Sequence, residues 1–150
     1  MYNLSYDNIP QIEIKYKSGI IKVGQIKNSE QCYKVMKDMF NADTLEYCEE
    51  SIVMYMNFAN KVIAYDKLSR GGMTGTVIDQ RVLFASALKI GATGLIMAHN
   101  HPSGTLTPSV QDIEITKNIA KGGDILGIKV LDHLIITADG YYSMADHGDM

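Results

Sequence analysis

Cysteine is scarce in this chain: Cys32 and Cys48 are the two present, and they form no CxxC pair. That excludes a disulfide framework and a thiolate zinc site, and it fits the reduced thiols of a cytoplasmic protein. No apolar run approaches the roughly 20 residues that a membrane-spanning helix needs. The opening stretch, MYNLSYDNIPQIEIKYK, also lacks the charged-then-apolar pattern of a signal peptide. A soluble, cytoplasmic protein is expected. An excess of positive charge is missing too. With a formal net charge of -3, the chain has no electrostatic ground for sequence-independent binding to nucleic acid. HExxH is absent, which excludes a helical zincin, and there is no HxE with PCxxC for a zinc deaminase. Residues 99–101 spell HNH, but the nuclease motif of that name is spread over a hairpin and a helix.

What is present is enough apolar material for one compact domain: 46% of 150 residues are hydrophobic. Ile12–Tyr16 and Ile20–Val23 around Ser18-Gly19 read as a hairpin. Ser29 is placed to cap a helix carrying Cys32, Val35, Met36 and Met39. The apolar run Ser51–Met56 and the following Lys61–Tyr65 read as antiparallel strands joined by a short turn through Ala59-Asn60. After a glycine-rich break and Thr76–Ile78, Asp79 can cap a helix bearing Val82, Leu83, Ala85, Ala87, Leu88 and Ile90. Leu95–Ala98 is a buried-strand run. A helix over about 110–120, a strand over Val130–Ile136 and a strand at Tyr141–Ser143 complete an α/β pattern. A mixed sheet with helices on both faces is expected.

The strand at Leu95 delivers the chain to HNHPSGTLTPSVQD, residues 99–112. Side chains alternate along a strand, so His99 and His101 project to one side if the extended form continues through Asn100. Pro102 holds His101 to extended backbone. Ser109-Val110-Gln111-Asp112 fits a helix-capping box that fixes Asp112 in the first turn, from which its carboxylate can aim back at the histidines. Two histidines and one carboxylate form a catalytic zinc set with a fourth position for water. A general base is also needed, and Glu49 or Glu50 stands at the start of the Ser51 strand. Only one of these neighbours can face the metal, because adjacent strand residues point to opposite faces.

These residues resemble the JAMM (MPN+, or JAB) metalloprotease motif, an upstream Glu followed by HxHx7SxxD. More narrowly, HNHPSG with PSxxD, LDHLIIT and NFANKVI resembles the RadC-like JAB proteins over roughly residues 46–148. The resemblance implies a cytidine-deaminase-like α/β fold, a three-layer sandwich with a mixed, largely antiparallel sheet flanked by helices. It places that domain over 46–150, with 1–45 as an N-terminal hairpin and helix in the same compact unit. It implies Zn2+ held by His99, His101 and Asp112. Glu49 is the implied general base, favoured over Glu50 by counting back from Asn57, and Ser109 the implied oxyanion donor. The implied reaction is hydrolysis of a peptide or isopeptide amide in a peptide or protein substrate.

Members of that family carry a DNA-repair label, so the alternative is a non-catalytic binding module associated with DNA processing. Residues 1–45 are too short for the helix-hairpin-helix region usual in full-length RadC proteins, so DNA binding is not expected on that ground. Among the remaining features, His133 alternates with apolar neighbours and reads as a structural histidine rather than a partner of the metal ligands. His147 is expected to be exposed. Gly71–Gly75 lacks the Lys-Ser/Thr of a phosphate-binding loop and reads as a flexible turn.

Overall fold

The architecture follows from a computed structural model that describes residues 10–13, 15–17, 19, 23–71 and 78–150. Much of the expected 12–23 hairpin and nearly all of the 71–78 glycine-rich stretch and strand therefore lie outside the described residues. The elements, in chain order, are α1 (Ser29–Lys37), β1 (Glu50–Met56), β2 (Val62–Arg70), α2 (Gln80–Lys89), β3 (Gly94–Asn100), α3 (Val110–Leu126), β4 (Lys129–Ile136), β5 (Tyr141–Ser143) and α4 (Met144–His147). Among the described residues, no helix is long and apolar enough to cross a membrane.

The five strands form one sheet in the order β2-β1-β3-β4-β5. Pairing is antiparallel except between β3 and β4, so the sheet is mixed and mostly antiparallel as expected. β1 and β3 lie at its centre and are buried along their whole length, which is why their sequences read as nearly continuous apolar runs. Their side chains alternate between two cores. Val53, Tyr55, Leu95 and Met97 pack with Leu83, Phe84 and Ala87 of α2 and Ile119 of α3. Ile52, Met54, Met56, Ile96 and Ala98 pack with Cys32 and Met36 of α1 on the opposite face. Helices therefore cover both faces, giving three layers.

Local chemistry sets most boundaries. Asn57 closes the β1–β2 hairpin by accepting from the N–H groups of Ala59 and Lys61, both at 3.0 Å, while Asn60 takes the left-handed conformation at φ 53. Asp79 caps α2 as expected. The cap of α1 is Asn28, one residue before the expected Ser29; the Ser29 hydroxyl instead donates to Asp146 at 2.5 Å. β2 extends to Arg70, beyond the expected end at Tyr65, because it pairs with β1 over nearly its full length. α3 outlasts its expected end near residue 120, despite Gly122 and Gly123. These glycines give close packing rather than termination: a Cβ at Gly122 would stand 2.9 Å from the Phe84 ring, and one at Gly123 would meet the Ile128 carbonyl oxygen. The helix ends at Gly127, whose φ of 69 provides the left-handed cap.

Candidate metal centre

His99 continues the parity of Leu95 and Met97, so it emerges on the α3 side of the sheet. The ladder runs one residue past β3, with the His101 N–H donating to the Ile136 carbonyl at 3.0 Å. Extended geometry thus persists through Asn100, and both histidines reach the same side. Opposite them, α3 begins. Ser109 and Asp112 complete a capping box: the Asp112 N–H donates to Ser109 Oγ at 3.1 Å, and the Ser109 N–H donates to Asp112 Oδ2 at 2.7 Å. The box holds the carboxylate at the helix start, where the helix dipole favours negative charge.

The three side chains converge. His99 Nε2 lies 2.9 Å from His101 Nε2 and 3.3 Å from Asp112 Oδ1, and His101 Nε2 lies 3.6 Å from Asp112 Oδ2. Donors about 2.0–2.2 Å from a tetrahedral zinc stand roughly 3.3–3.5 Å from one another, so this spacing suits one ion. Hydrogen-bond direction supports the fit. His101 Nδ1 is 2.6 Å from the Thr105 carbonyl oxygen, which can only accept, so Nδ1 carries a hydrogen and Nε2 faces the centre, with a lone pair in the neutral ring and an N–H toward Asp112 in the protonated one. Two ring nitrogens at 2.9 Å need something between them, either a hydrogen carried by one ring or a metal ion bound by both.

The electrostatics agree. The Asp112 hydrogen bond raises the His101 pKa, against the opposing effect of burial. Burial pushes the Asp112 carboxyl up, but hydrogen bonds from His101 and His99 outweigh it and hold the group well below the usual carboxylate range. Glu49 joins this cluster: one ligand atom each from Glu49, His99 and His101 fall within 4.8 Å of one another, a set that could hold a metal ion. Glu50 is turned away. Its carboxylate meets Arg70 Nε at 3.3 Å and accepts from the Thr44 hydroxyl at 3.2 Å, so strand parity separates the two glutamates. The Ser109 hydroxyl donates to Asp112 Oδ2 at 2.6 Å, which commits its one hydrogen to the carboxylate.

Three supporting residues were not legible as part of the site. Asn100 points to the α1 side and is fully buried. It accepts from the Glu50 N–H at 2.7 Å and donates to the carbonyls of Leu45 and Cys48 at 2.6 and 2.9 Å, tying the Glu49 loop to β3. His133 corrects the expectation that set it apart from the ligands: its Nε2 lies 2.8 Å from His99 Nδ1, and its Nδ1 lies 2.5 Å from Thr116 Oγ1. Burial and the neighbouring His99 hold its pKa well below the ordinary value, so it is neutral. Strand alternation could have placed His133 on one face of β4, but only the parallel pairing of β4 with β3 brings that face beside His99. His147 is exposed as expected and stacks on Tyr142. Cys32 and Cys48 are free and buried.

The family model for the RadC-like JAB domain matches residues 26–149. A UPF0758 protein of Flavobacterium johnsoniae is 46% identical over 129 residues, covering 86% of this chain and 55% of the relative. One from Porphyromonas gingivalis is 46% identical over 101 residues, covering 67% and 44%. One from Enterococcus faecalis is 33% identical over 132 residues, covering 87% and 55%. The chain spans about half the length of the curated relatives it matches. By the match over residues 26–149 and these relatives, the chain belongs to the RadC-like JAB domain family.

Proposed function

We propose that this domain is a zinc-dependent hydrolase acting on an amide bond of a peptide or protein. The observation that carries the reading is the convergence of His99 Nε2, His101 Nε2 and the Asp112 carboxylate, with Glu49 beside them. Two imidazoles and a carboxylate are the donor set that catalytic zinc sites use. When bound, the metal supplies a Lewis acid for the carbonyl oxygen and lowers the pKa of water to roughly 7.

The chain supplies the rest. The Thr105 carbonyl orients His101, and the capping box fixes Asp112. Glu49 takes a proton from the attacking water as its oxygen bonds to the carbonyl carbon, then gives that proton to the amine nitrogen as the C–N bond breaks. Ser109 holds Asp112, and it serves the oxyanion when its hydroxyl turns from that carboxylate to the carbonyl oxygen.

A peptide-library digest with zinc-loaded protein tests the reading. Wild type should cleave, Glu49→Gln should lower the rate roughly 100- to 10,000-fold, and Glu50→Gln should retain it. Stoichiometric zinc without cleavage of any peptide would overturn the hydrolase reading in favour of a binding module on the same fold.

A further inference from the structure

We propose that His133 and Thr116 are positioning residues for the metal, setting by hydrogen-bond direction which nitrogen of His99 is free to bind it. The inference rests on the metal reading above. His99 Nδ1, His133 and Thr116 Oγ1 form a continuous chain of short contacts, 2.8 Å and then 2.5 Å, and the Thr116 hydroxyl lies 2.6 Å from the Asp112 carbonyl oxygen. His133 and Thr116 have no solvent exposure, and His99 has 2%, so bulk water cannot substitute for any member.

With a metal on His99 Nε2, the hydrogen of that ring sits on Nδ1 and must be donated. His133 Nε2 accepts it. A neutral imidazole has one donor and one acceptor, so the remaining hydrogen of His133 sits on Nδ1 and is donated to Thr116 Oγ1. Thr116 then gives its single hydroxyl hydrogen to the Asp112 carbonyl, since Met144 Sδ at 3.6 Å is a weak acceptor. Every hydrogen meets one acceptor.

The reverse direction runs from the Thr116 hydroxyl to His133 Nδ1 and from His133 Nε2 to His99 Nδ1. It leaves the hydrogen of His99 on Nε2, where it blocks the ion. The Asp112 carbonyl, one helical turn before Thr116, competes for the hydroxyl hydrogen and favours the binding direction. The same helix thus presents the Asp112 ligand and anchors the wire that prepares His99.

Zinc affinity measured by chelator competition tests the inference on the full chain. Thr116→Val keeps the side-chain shape but leaves the His133 Nδ1–H without an acceptor. It should weaken zinc binding about 10- to 100-fold, and Thr116→Ser should restore it to within about threefold of wild type. Nitrogen-15 NMR of the zinc-loaded wild type should show the His133 hydrogen on Nδ1. Equal zinc affinity in wild type and Thr116→Val, or a His133 hydrogen on Nε2, would overturn the inference alone. Failure of the wild type to bind zinc would overturn the metal reading and this inference with it.

Discussion

Two aspartates turn their carboxylates inward, and the surrounding chain treats them in opposite ways. Asp132 accepts from the Ser143 hydroxyl at 2.6 Å, the Ala145 N–H at 3.0 Å and the His133 backbone N–H at 2.7 Å. Each of those donors is a neutral group whose hydrogen already points at the carboxylate. Burial still raises the Asp132 pKa, because three neutral hydrogen bonds only partly replace water. Asp112 faces the Nε2 atoms of two histidines, and in the metal-free protein hydrogen bonds from these rings outweigh its burial and depress its pKa. The first cluster has a hydrogen for every acceptor and is closed. The second brings ring nitrogens and carboxylates together in a set that could hold a cation. Counting hydrogens separates a structural strut from a candidate metal centre even where both carboxylates turn inward.

The largest effect expected from this contrast is on zinc. Removing one ligand in His99→Ala should weaken zinc binding on the order of a thousandfold, whereas Asp132→Asn should stay within about threefold of wild type in a chelator competition. An equal loss in both variants would break the distinction.

Stability of the metal-free protein should rank the two sites the other way. Asp132→Ala leaves three donors unmatched, two of them buried, and should cost about 3 kcal/mol in urea unfolding. Asp112→Ala removes a helix-capping partner and should cost about 1 kcal/mol. The reverse ranking would show that the Asp112 cluster carries the fold.

The smallest effect is on pH dependence, and its sign differs between the two carboxylates. The Asp112 pKa is lowered on folding, so its contribution is present above the unfolded value of about 3.9 and is lost as pH falls toward the folded value. The Asp132 pKa is raised, so its contribution is present below about 3.9 and is lost as pH rises through the folded value. Urea titrations of metal-free protein should therefore show wild type losing stability relative to Asp112→Asn on acidification below about pH 4. Relative to Asp132→Asn, it should lose stability as pH rises above about 4. Parallel pH profiles for the two variants would remove the electrostatic part of the contrast.

Local features were legible in the sequence because short-range geometry governs them. Strand alternation placed His99 and His101 on one side, and the four-residue capping box placed Asp112 at a helix start. Those two periodicities need no knowledge of what packs nearby. α3 runs beyond its expected end near residue 120 and carries Gly122 and Gly123 within it. Their real constraint is the closeness of Phe84 and of the Ile128 backbone, which come from other elements.

The sequence by itself therefore determined the spacing of His99, His101 and Asp112, the strand-helix junction that presents them, and the rule that only one of Glu49 and Glu50 can face them. The count back from Asn57 favoured Glu49, and the tertiary structure set Glu49 beside the histidines and Glu50 against Arg70; it alone brought His133 and Thr116 against His99 and put Asn100 behind the Glu49 loop. The reason is physical. Alternation and capping act within one element, whereas these contacts depend on β1 and β4 flanking β3 and on how α3 lies across β4, and many residues far apart in the chain set that arrangement together.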